Sequence, residues 1–236
     1  MRVEAAVCVL VFGMSSGTPA AAQINAPGPP GPYVIDIRGA AGGIPQDSAF
    51  FPPVPAATII PSSGSGIEIG AHVYLIQLGP ARLGIGASAL LVRGTASPAK
   101  PATPASGSTA ATSGPPTRPD VDATLIDVAP QLSLNFGSAE GWSYVSAGVG
   151  RAQILTGTSA FGGGRSGTTT TPAQEVESGT LSSTNVGGGA RWFVKAHMAF
   201  SFDVRFHLVS AGAGLGGGPA TPSTKLIVAA AGISLR

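Results

Sequence analysis

The sequence predicts an all-β fold: an eight-stranded antiparallel transmembrane β-barrel with short periplasmic turns and long extracellular loops. The first observation behind this prediction is a set of eight segments with apolar residues at every second position, the pattern of strands that face two different environments. The second is a scarcity of charge, because charged residues make up 10% of the chain and the mean hydropathy is +0.31. The third is an alternation of short and long connections between the segments.

The segment HMAFSFDVRFHLV at 197–209 shows the alternation most clearly. Met198 and every second residue after it are apolar, whereas Asp203, Arg205 and His207 lie between them. An apolar face of this length, opposite a charged one, predicts a strand between lipid and a polar interior. The eight predicted strands, in chain order, are 33–40, 66–76, 82–93, 123–136, 142–155, 184–194, 197–209 and 224–236.

The other segments follow the same rule in chain order. The first alternates apolar residues with Asp36 and Arg38, the second with Glu68 and His72, and the fourth with Asp127. The third, fifth, sixth and eighth combine aliphatic outward positions with inward positions that are often Gly or Ser. Because an eight-stranded barrel encloses just enough room for side chains, small inward residues leave space for a few long polar ones.

The N-terminal residues 1–22 predict a secretory signal peptide, with a positively charged start, an apolar stretch and the small-residue cleavage site Ala20 to Ala22. Residues 23–32 are expected to form a flexible N-terminal segment, and 33–236 the barrel domain. Cys8 is the single cysteine of the sequence and lies in the signal peptide. Neither a disulfide framework nor a thiolate metal site is therefore expected in the mature chain.

The length of the apolar runs favours strands over helices as membrane spans. The longest runs after the signal peptide, 83–92 and 226–235, suit a tilted strand of about 9–11 residues and are too short for a helix of about 20. An open sheet edge would leave backbone groups unpaired in hydrocarbon, so the strands should close into a ring. The main alternative fold is a soluble, secreted β-sandwich. The four long connections are 41–65, 94–122, 156–183 and 210–223.

Nine ionisable residues occupy inward positions of the predicted strands. One interpretation is a polar gate whose salt bridges could open a narrow ion path, and the favoured one is a structural network that fills a closed lumen. The nine are Asp36, Arg38, Glu68, His72, Asp127, Arg191, Asp203, Arg205 and His207. Three basic residues near the loop ends, Arg93, Arg151 and Lys225, are expected to lie at the lipid-headgroup rim, where they could contact lipopolysaccharide phosphates or simply extend into the headgroup region.

Three stretches of the sequence resemble the small outer-membrane β-barrel domain family, the group that includes the OmpA transmembrane domain and OmpX. The stretch 187–207 resembles the sixth-to-seventh hairpin of that family, and 128–137 and 144–152 resemble its fourth and fifth strands. The resemblance implies the fold and insertion by the barrel-assembly machinery. It also raises the gating interpretation, because a charged inner network is implicated in gating in such relatives. The chain ends in Arg236, where the family usually carries an aromatic residue.

Other motifs point only weakly to chemistry. The stretch GAGLGG at 212–217 matches a dinucleotide-binding pattern, but the residues that follow cannot form the helix that such a site needs. His207 and Ser210 suggest a lipid-modifying hydrolase, although their spacing places them on opposite faces of a strand. The histidines, His72, His197 and His207, show no paired metal-ligand spacing.

The function expected from these patterns is structural or interactive: a bacterial outer-membrane barrel that presents mobile loops, with at most small conductance. The alternatives are a narrow passive channel for ions or small solutes and an outer-membrane enzyme that modifies lipid A. We expect no enzymatic activity, no cofactor and no metal. A nucleic-acid partner is not expected either, since the sequence has no basic cluster. The expected partners are outer-membrane lipid, lipopolysaccharide and the assembly machinery, and the protein is expected to be a monomer.

Overall fold

The computed structural model describes residues 32–53, 58–97, 119–138, 141–159, 161–162, 170–213 and 220–236. The predicted signal peptide 1–22 lies outside these residues, as does the predicted flexible segment except for its last residue. The strands are β1 Tyr33–Gly43, β2 Ser63–Leu78, β3 Ala81–Ala96, β4 Val121–Ser138, β5 Gly141–Thr158, β6 Phe161–Gly162, β7 Thr170–Thr171, β8 Gln174–Glu177, β9 Leu181–Lys195, β10 Met198–Val209 and β11 Thr224–Leu235.

Eight of these strands form a closed antiparallel barrel, which confirms the predicted fold. Sheet order runs from β4 through β3, β2, β1, β11, β10 and β9 to β5, and pairing of β4 with β5 closes the ring. The first and last strands are neighbours, with Ile37 opposite Ile233. All eight predicted segments correspond to barrel strands. Several of these strands extend further towards the loop connections than the predicted segments do.

The two ends of the barrel differ in how the chain turns. At one end, called the turn end below, β2 and β3 are joined by Gly79 and Pro80, and Gly79 has a φ of 59°. A left-handed residue is favoured at such a tight turn, and glycine adopts it without steric cost. Ala196 and His197 join β9 to β10 at the same end. The long connections lie at the opposite end, called the loop end, as the alternation of lengths predicted.

One side of the barrel rises above the other at the loop end. The β3–β4–β5 pairing continues to Ala96, Val121 and Thr158, whereas β5 pairs with β9 only as far as Ala152. Beyond that point the short strand β8 takes the place of β9 beside β5, pairing at 155–158. We call this four-stranded extension, formed by β3, β4, β5 and β8, the raised sheet. Part of the predicted loops 94–122 and 156–183 is therefore ordered strand.

The outer wall of the barrel is apolar. In β10 the even-numbered phenylalanines Phe200, Phe202 and Phe206 are 59%, 43% and 48% exposed, while Asp203 and Arg205 between them are buried. Large apolar side chains are likewise exposed on all eight barrel strands, from Ile35 on β1 to Ile233 on β11. A face of this extent cannot be left to water at low cost, because soluble proteins rarely expose contiguous apolar patches above a few hundred Å². No helix in the described residues is long and apolar enough to cross a membrane.

We expect an arginine in the middle of this wall to cost far more than one at its edge. Ile69 and Leu78 both lie on β2, are 48% and 51% exposed, and occupy the centre and the turn end of the strand. In lipid vesicles, Ile69→Arg should lower the free energy of unfolding by about 2–4 kcal/mol and Leu78→Arg by about 0–1 kcal/mol. Denaturant titration measures both. Equal costs for the two variants would contradict a lipid-facing wall.

Candidate functional site

The nine inward ionisable residues all lie inside the barrel and are buried, with exposures of 4% or less. Their position follows from the strand register, since residues two apart on one strand share a face and pair with residues of the same face on the next. The structure brings them together with neutral polar residues that the sequence analysis did not single out. These additional residues are Ser88, Gln131, Tyr144, Ser146, Ser183, Asn185, Ser201 and Ser234.

Asp36 is the centre of the first group of contacts. The Arg191 guanidinium donates two hydrogen bonds to it, from Nε to Oδ1 at 2.9 Å and from Nη2 to Oδ2 at 2.6 Å. Arg38 Nη2 lies 2.9 Å from Asp36 Oδ1, and the Ser234 hydroxyl also donates to this carboxylate. Arg38 reaches Glu68 at a longer 3.5 Å. One carboxylate thus holds two guanidinium groups that come from β1 and β9.

Arg205 organises the second group. It contacts Asp203, at 3.1 Å from Nη2 to Oδ2, and donates to Asn185 Oδ1 at 3.0 Å and to Ser146 Oγ at 2.9 Å. The Tyr144 hydroxyl donates to Asp203 Oδ2 at 2.6 Å. Because the Tyr144 ring also lies 4.0 Å beneath the Arg191 guanidinium carbon, this tyrosine links the two groups.

Asp127 and His207 form the third group, nearest the loop end. His207 Nδ1 lies 2.7 Å from Asp127 Oδ2, and the Ser183 hydroxyl donates to Asp127 Oδ1 at 2.9 Å. Farther down, the ring of His72 contacts Gln131 Oε1 at 3.1 Å. The Gln131 amide in turn donates to Ser88 Oγ at 2.6 Å and to Asn185 Oδ1 at 3.1 Å. Gln131 therefore links Ser88 on β3 to the Arg205 group, to which Asn185 belongs.

An apolar cluster closes the lumen above these groups. Ile44, Phe50 and Phe51, from the connection between β1 and β2, are buried against inward residues of the loop end such as Leu125 and Val228. We call these three residues the stopper. Its backbone is held in place, because Thr156 Oγ1 donates to the Phe50 carbonyl at 2.5 Å. Part of the predicted long connection 41–65 is therefore packed into the mouth of the barrel.

The stopper segment also has its own local structure. Asp47 caps a short 3₁₀ helix at Ser48–Phe50 by accepting a hydrogen bond from the Ala49 amide at 2.8 Å. The Gln46 side-chain amide donates to the carbonyl of Ile44 at 3.0 Å and to that of Pro61 at 2.8 Å. These contacts tie both ends of the connection together over the mouth of the barrel.

An aromatic floor closes the turn end. Trp142 packs against Phe193 with ring centroids 5.1 Å apart and edge-on against Tyr74 at 6.0 Å. The guanidinium of Arg236 lies 3.9 Å from the centroid of Phe193, and its Nε donates to the Ala196 carbonyl at 2.6 Å. The C-terminal arginine thus contributes a cation–π contact to the floor of the lumen.

The three predicted rim residues lie on the outer face in the loop half of their strands. Arg93 is 64% exposed and pairs with Asp122 at 3.4 Å. Arg151 and Lys225 are exposed, and neither makes an ion pair or hydrogen bond within the described part of the chain. Arg151 lies opposite Val128 on one side and Ser182 on the other, at the boundary between apolar and polar wall.

Within the part of the chain that the structure describes, the weaker motifs do not assemble into sites. His207 is buried in the lumen while Ser210 is exposed beyond the end of β10, so the two are apart as their spacing predicted. No group of three or more potential ligands among the described residues could hold a metal ion. Of the GAGLGG stretch, residues 214–217 lie outside the described residues.

The fold identifies the chain at the level of architecture. It is a small eight-stranded β-barrel. The resemblance seen in the sequence therefore holds for the fold that it implied.

Comparisons with known proteins give distant structural similarities. The chain is similar to neisserial surface protein A (NspA), with a TM-score of 0.48, 10% identity, and coverage of 87% of this chain and 97% of that one. It is similar to Ail, the attachment invasion locus protein of Yersinia pestis, with a TM-score of 0.44, 10% identity and coverage of 86% and 96%. It is also similar to the outer membrane protease OmpT of Escherichia coli, with a TM-score of 0.37, 10% identity, and coverage of 74% of this chain and 64% of that one. No family model and no curated protein matches the sequence.

Replacing Arg191 by methionine should destabilise the barrel strongly, because it leaves Asp36 buried with one of its two guanidinium partners removed. We expect a loss of about 3 kcal/mol in the free energy of unfolding, since Arg38 remains beside the carboxylate. The double variant Asp36→Asn Arg191→Met should lose less than the single one. The exposed pair gives a matched control: Arg93→Gln should change the same quantity by about 0–1 kcal/mol. Denaturant titration in lipid or detergent measures all three.

Proposed function

We propose that this protein is an integral barrel of the bacterial outer membrane, of structural or interaction type, whose working surface is the loop end. The observation that carries the proposal is that buried ion pairs and the stopper occupy the lumen while the outer wall is apolar. A barrel with a blocked interior can act through the surface that it presents. Among the described residues, the raised sheet extends that surface beyond the end of the β5–β9 pairing.

The apolar wall supports a membrane location. In hydrocarbon, every backbone N–H and C=O needs a partner in the protein, and a closed ring of strands provides one for each. The exposed residues alternate with buried ones along each strand, as they do in barrels that have lipid outside and polar groups inside. Export by the predicted signal peptide and insertion by the assembly machinery complete this proposal.

The filled lumen disfavours the passive channel. Conduction needs a continuous wet path, and apolar constrictions block ions by excluding water. Here the Arg38, Arg191 and Arg205 groups cross the central lumen, and the stopper covers the loop end. An ion would have to break buried ion pairs and displace two phenylalanines on its way through.

The arrangement of polar groups also favours a protein without enzymatic activity. Ser183 donates its hydroxyl proton to Asp127, and no hydrogen bond joins it to His207 among the described residues, whereas a serine nucleophile needs a hydrogen bond to its base. The whole group is buried between the stopper and the Arg205 group, away from lipid. A lipid A-modifying enzyme would need such groups on the outer face or at the rim.

The rim residues suggest the lipid partner. A guanidinium or ammonium group that borders hydrocarbon is stabilised by an anionic partner, and Arg151 and Lys225 find none within the described residues. Phosphate groups of lipopolysaccharide are negatively charged and would lie at the same depth in the membrane as Arg151 and Lys225, so they could pair with both side chains. We therefore include lipopolysaccharide contact at Arg93, Arg151 and Lys225 in the proposal, and we treat the protein as a monomer.

Cysteine labelling in intact cells tests location and orientation together. In a Cys8→Ser background, Thr95→Cys at the loop end should react with a membrane-impermeant maleimide on whole cells, since Thr95 is exposed on the raised sheet. Gln77→Cys, exposed at the turn end, should react only after the outer membrane is permeabilised. Equal labelling of both positions in intact cells, or of neither, would contradict the proposal.

Conductance in planar lipid bilayers separates the proposal from the channel alternative. The wild-type protein should give no discrete current steps. The variant Phe50→Ser Phe51→Ser should stay silent as well, because the ion pairs below the stopper still cross the lumen. Regular steps from the wild-type protein would support the passive channel instead.

A further inference from the structure

A groove crosses the outer wall of the barrel from β9, over β5, β4 and β3, to β2. Its volume is about 780 Å³, which lies within the range of roughly 300–1,000 Å³ for pockets that hold small ligands. The lining is mostly apolar. One side is formed by Ile85, Leu132 and Ala147, and the other by Pro130, Val149 and Thr184.

Short outward side chains open the groove. Val149 and Leu132 are 66% and 59% exposed and project from the wall, whereas Pro130 and Ala147 beside them are small. Between the two sides runs a row of residues that face the lumen and present only their backbone to the outside, Gly86, Gln131 and Gly148. The groove therefore reaches down to the backbone of the sheet.

The groove descends from the loop half of the wall towards the turn end. Thr184 lies 12 residues before Ala196 at the β9–β10 turn, whereas Ile85 lies only 5 residues after Pro80 at the β2–β3 turn. From β9 to β2 the groove crosses four interstrand spacings, or about 19 Å at ~4.8 Å each. One leaflet contributes about 15 Å of a hydrocarbon core of ~30 Å. The groove thus has the length and the slope to hold one lipid chain that runs from the headgroups towards the bilayer centre.

Arg151 lies at the upper end of the groove. It follows Val149 on the outward face of β5, and β9 places Ser182 opposite Arg151 and Thr184 opposite Val149. Arg151 is 10 residues from Gly141, where β5 begins. At about 3.3 Å per residue and a tilt of ~40°, this distance corresponds to ~25 Å along the barrel axis, the height of the apolar band of such barrels. The exposed guanidinium, which has no ion pair or hydrogen bond within the described residues, is therefore at headgroup height.

A cation at the end of an apolar groove restricts what can occupy it. A second copy of the chain packed on the groove would bury an unpaired guanidinium beside hydrocarbon, which is costly. A two-fold contact centred on the groove would also bring the Arg151 side chains of both copies together at the same height. An anionic lipid instead supplies a negative charge for Arg151 and an apolar chain for the groove below it.

We propose that the groove holds one acyl chain of a lipid A molecule of the outer leaflet, with a lipid A phosphate at Arg151. The hydroxyl groups of Ser182 and Thr184 lie on the neighbouring strand, where they face the polar head of the same lipid. This inference rests on the orientation and the lipopolysaccharide contact in the proposed function. It deepens them, because it gives one lipid molecule a defined position on the wall.

Titration of the folded protein with purified lipid A, followed by native mass spectrometry, tests the groove. The wild-type protein should bind one lipid A. Arg151→Gln removes the partner of the phosphate and Ala147→Phe fills the groove, so each should weaken binding tenfold or more. The matched controls are Lys195→Gln, which removes a cation at the turn end, and Val145→Phe, which adds the same ring on the same strand outside the groove. Both controls should stay within twofold of wild type.

Heat-modifiable migration on gels confirms that each variant is folded. Absence of a one-to-one complex with the wild-type protein would overturn the inference, as would equal weakening by Ala147→Phe and Val145→Phe. Protein extracted from outer membranes in mild detergent identifies the natural occupant. Lipid A should remain bound to the wild-type protein and be lost from Ala147→Phe, and retention of a phospholipid in its place would overturn the assignment to lipid A.

Failure of this inference is distinguishable from failure of the proposed function. Labelling of Thr95→Cys on intact cells, combined with no lipid A on the extracted protein, would overturn the groove assignment and leave the proposed function in place. Labelling of Gln77→Cys alone on intact cells would overturn the proposed orientation. It would overturn the assignment to the outer leaflet as well, since the upper end of the groove would then face the periplasm.

Discussion

The requirement that every backbone hydrogen-bonding group in hydrocarbon finds a partner governs this structure. Strands satisfy it only when the sheet has no edge, and here the first strand pairs with the last and β4 pairs with β5, so that the eight strands form a closed ring. Once the ring is closed, the period of two along each strand sends one set of side chains to lipid and the other to a narrow interior. The apolar wall, the buried ion pairs and the separation of the two ends all follow from that division.

The interior shows how a narrow lumen accommodates charge. Buried charges are costly unless they are paired and hydrogen-bonded, and here Asp36, Asp203 and Asp127 each meet a basic residue together with at least one hydroxyl donor. Glycines on the facing strands make room for the long side chains. At Gly189, for example, a Cβ atom would overlap the backbone carbonyl oxygen of Phe202 and approach the Tyr144 hydroxyl to 2.8 Å, so a larger residue would disturb both the neighbouring strand and the tyrosine that links two groups of the network.

The two ends of the lumen are closed by different chemistry. Apolar residues of the β1–β2 connection fill the loop end, whereas aromatic rings and the Arg236 guanidinium close the turn end. In the proposed function, the loop end, which carries the raised sheet, is the surface through which the protein meets other molecules.

The amino-acid sequence by itself determined the number of barrel strands, the faces they present and the end at which the long loops lie, because the alternation of Phe200, Phe202 and Phe206 with Asp203 and Arg205 is local information. It also placed all nine ionisable lumen residues inside. Only the tertiary structure decided their partners, since Asp36 and Arg191 lie 155 residues apart in the chain and meet through ring closure. The stopper was likewise invisible in sequence, because Phe50 and Phe51 follow no strand period and are buried by a mouth that exists only once the barrel has formed.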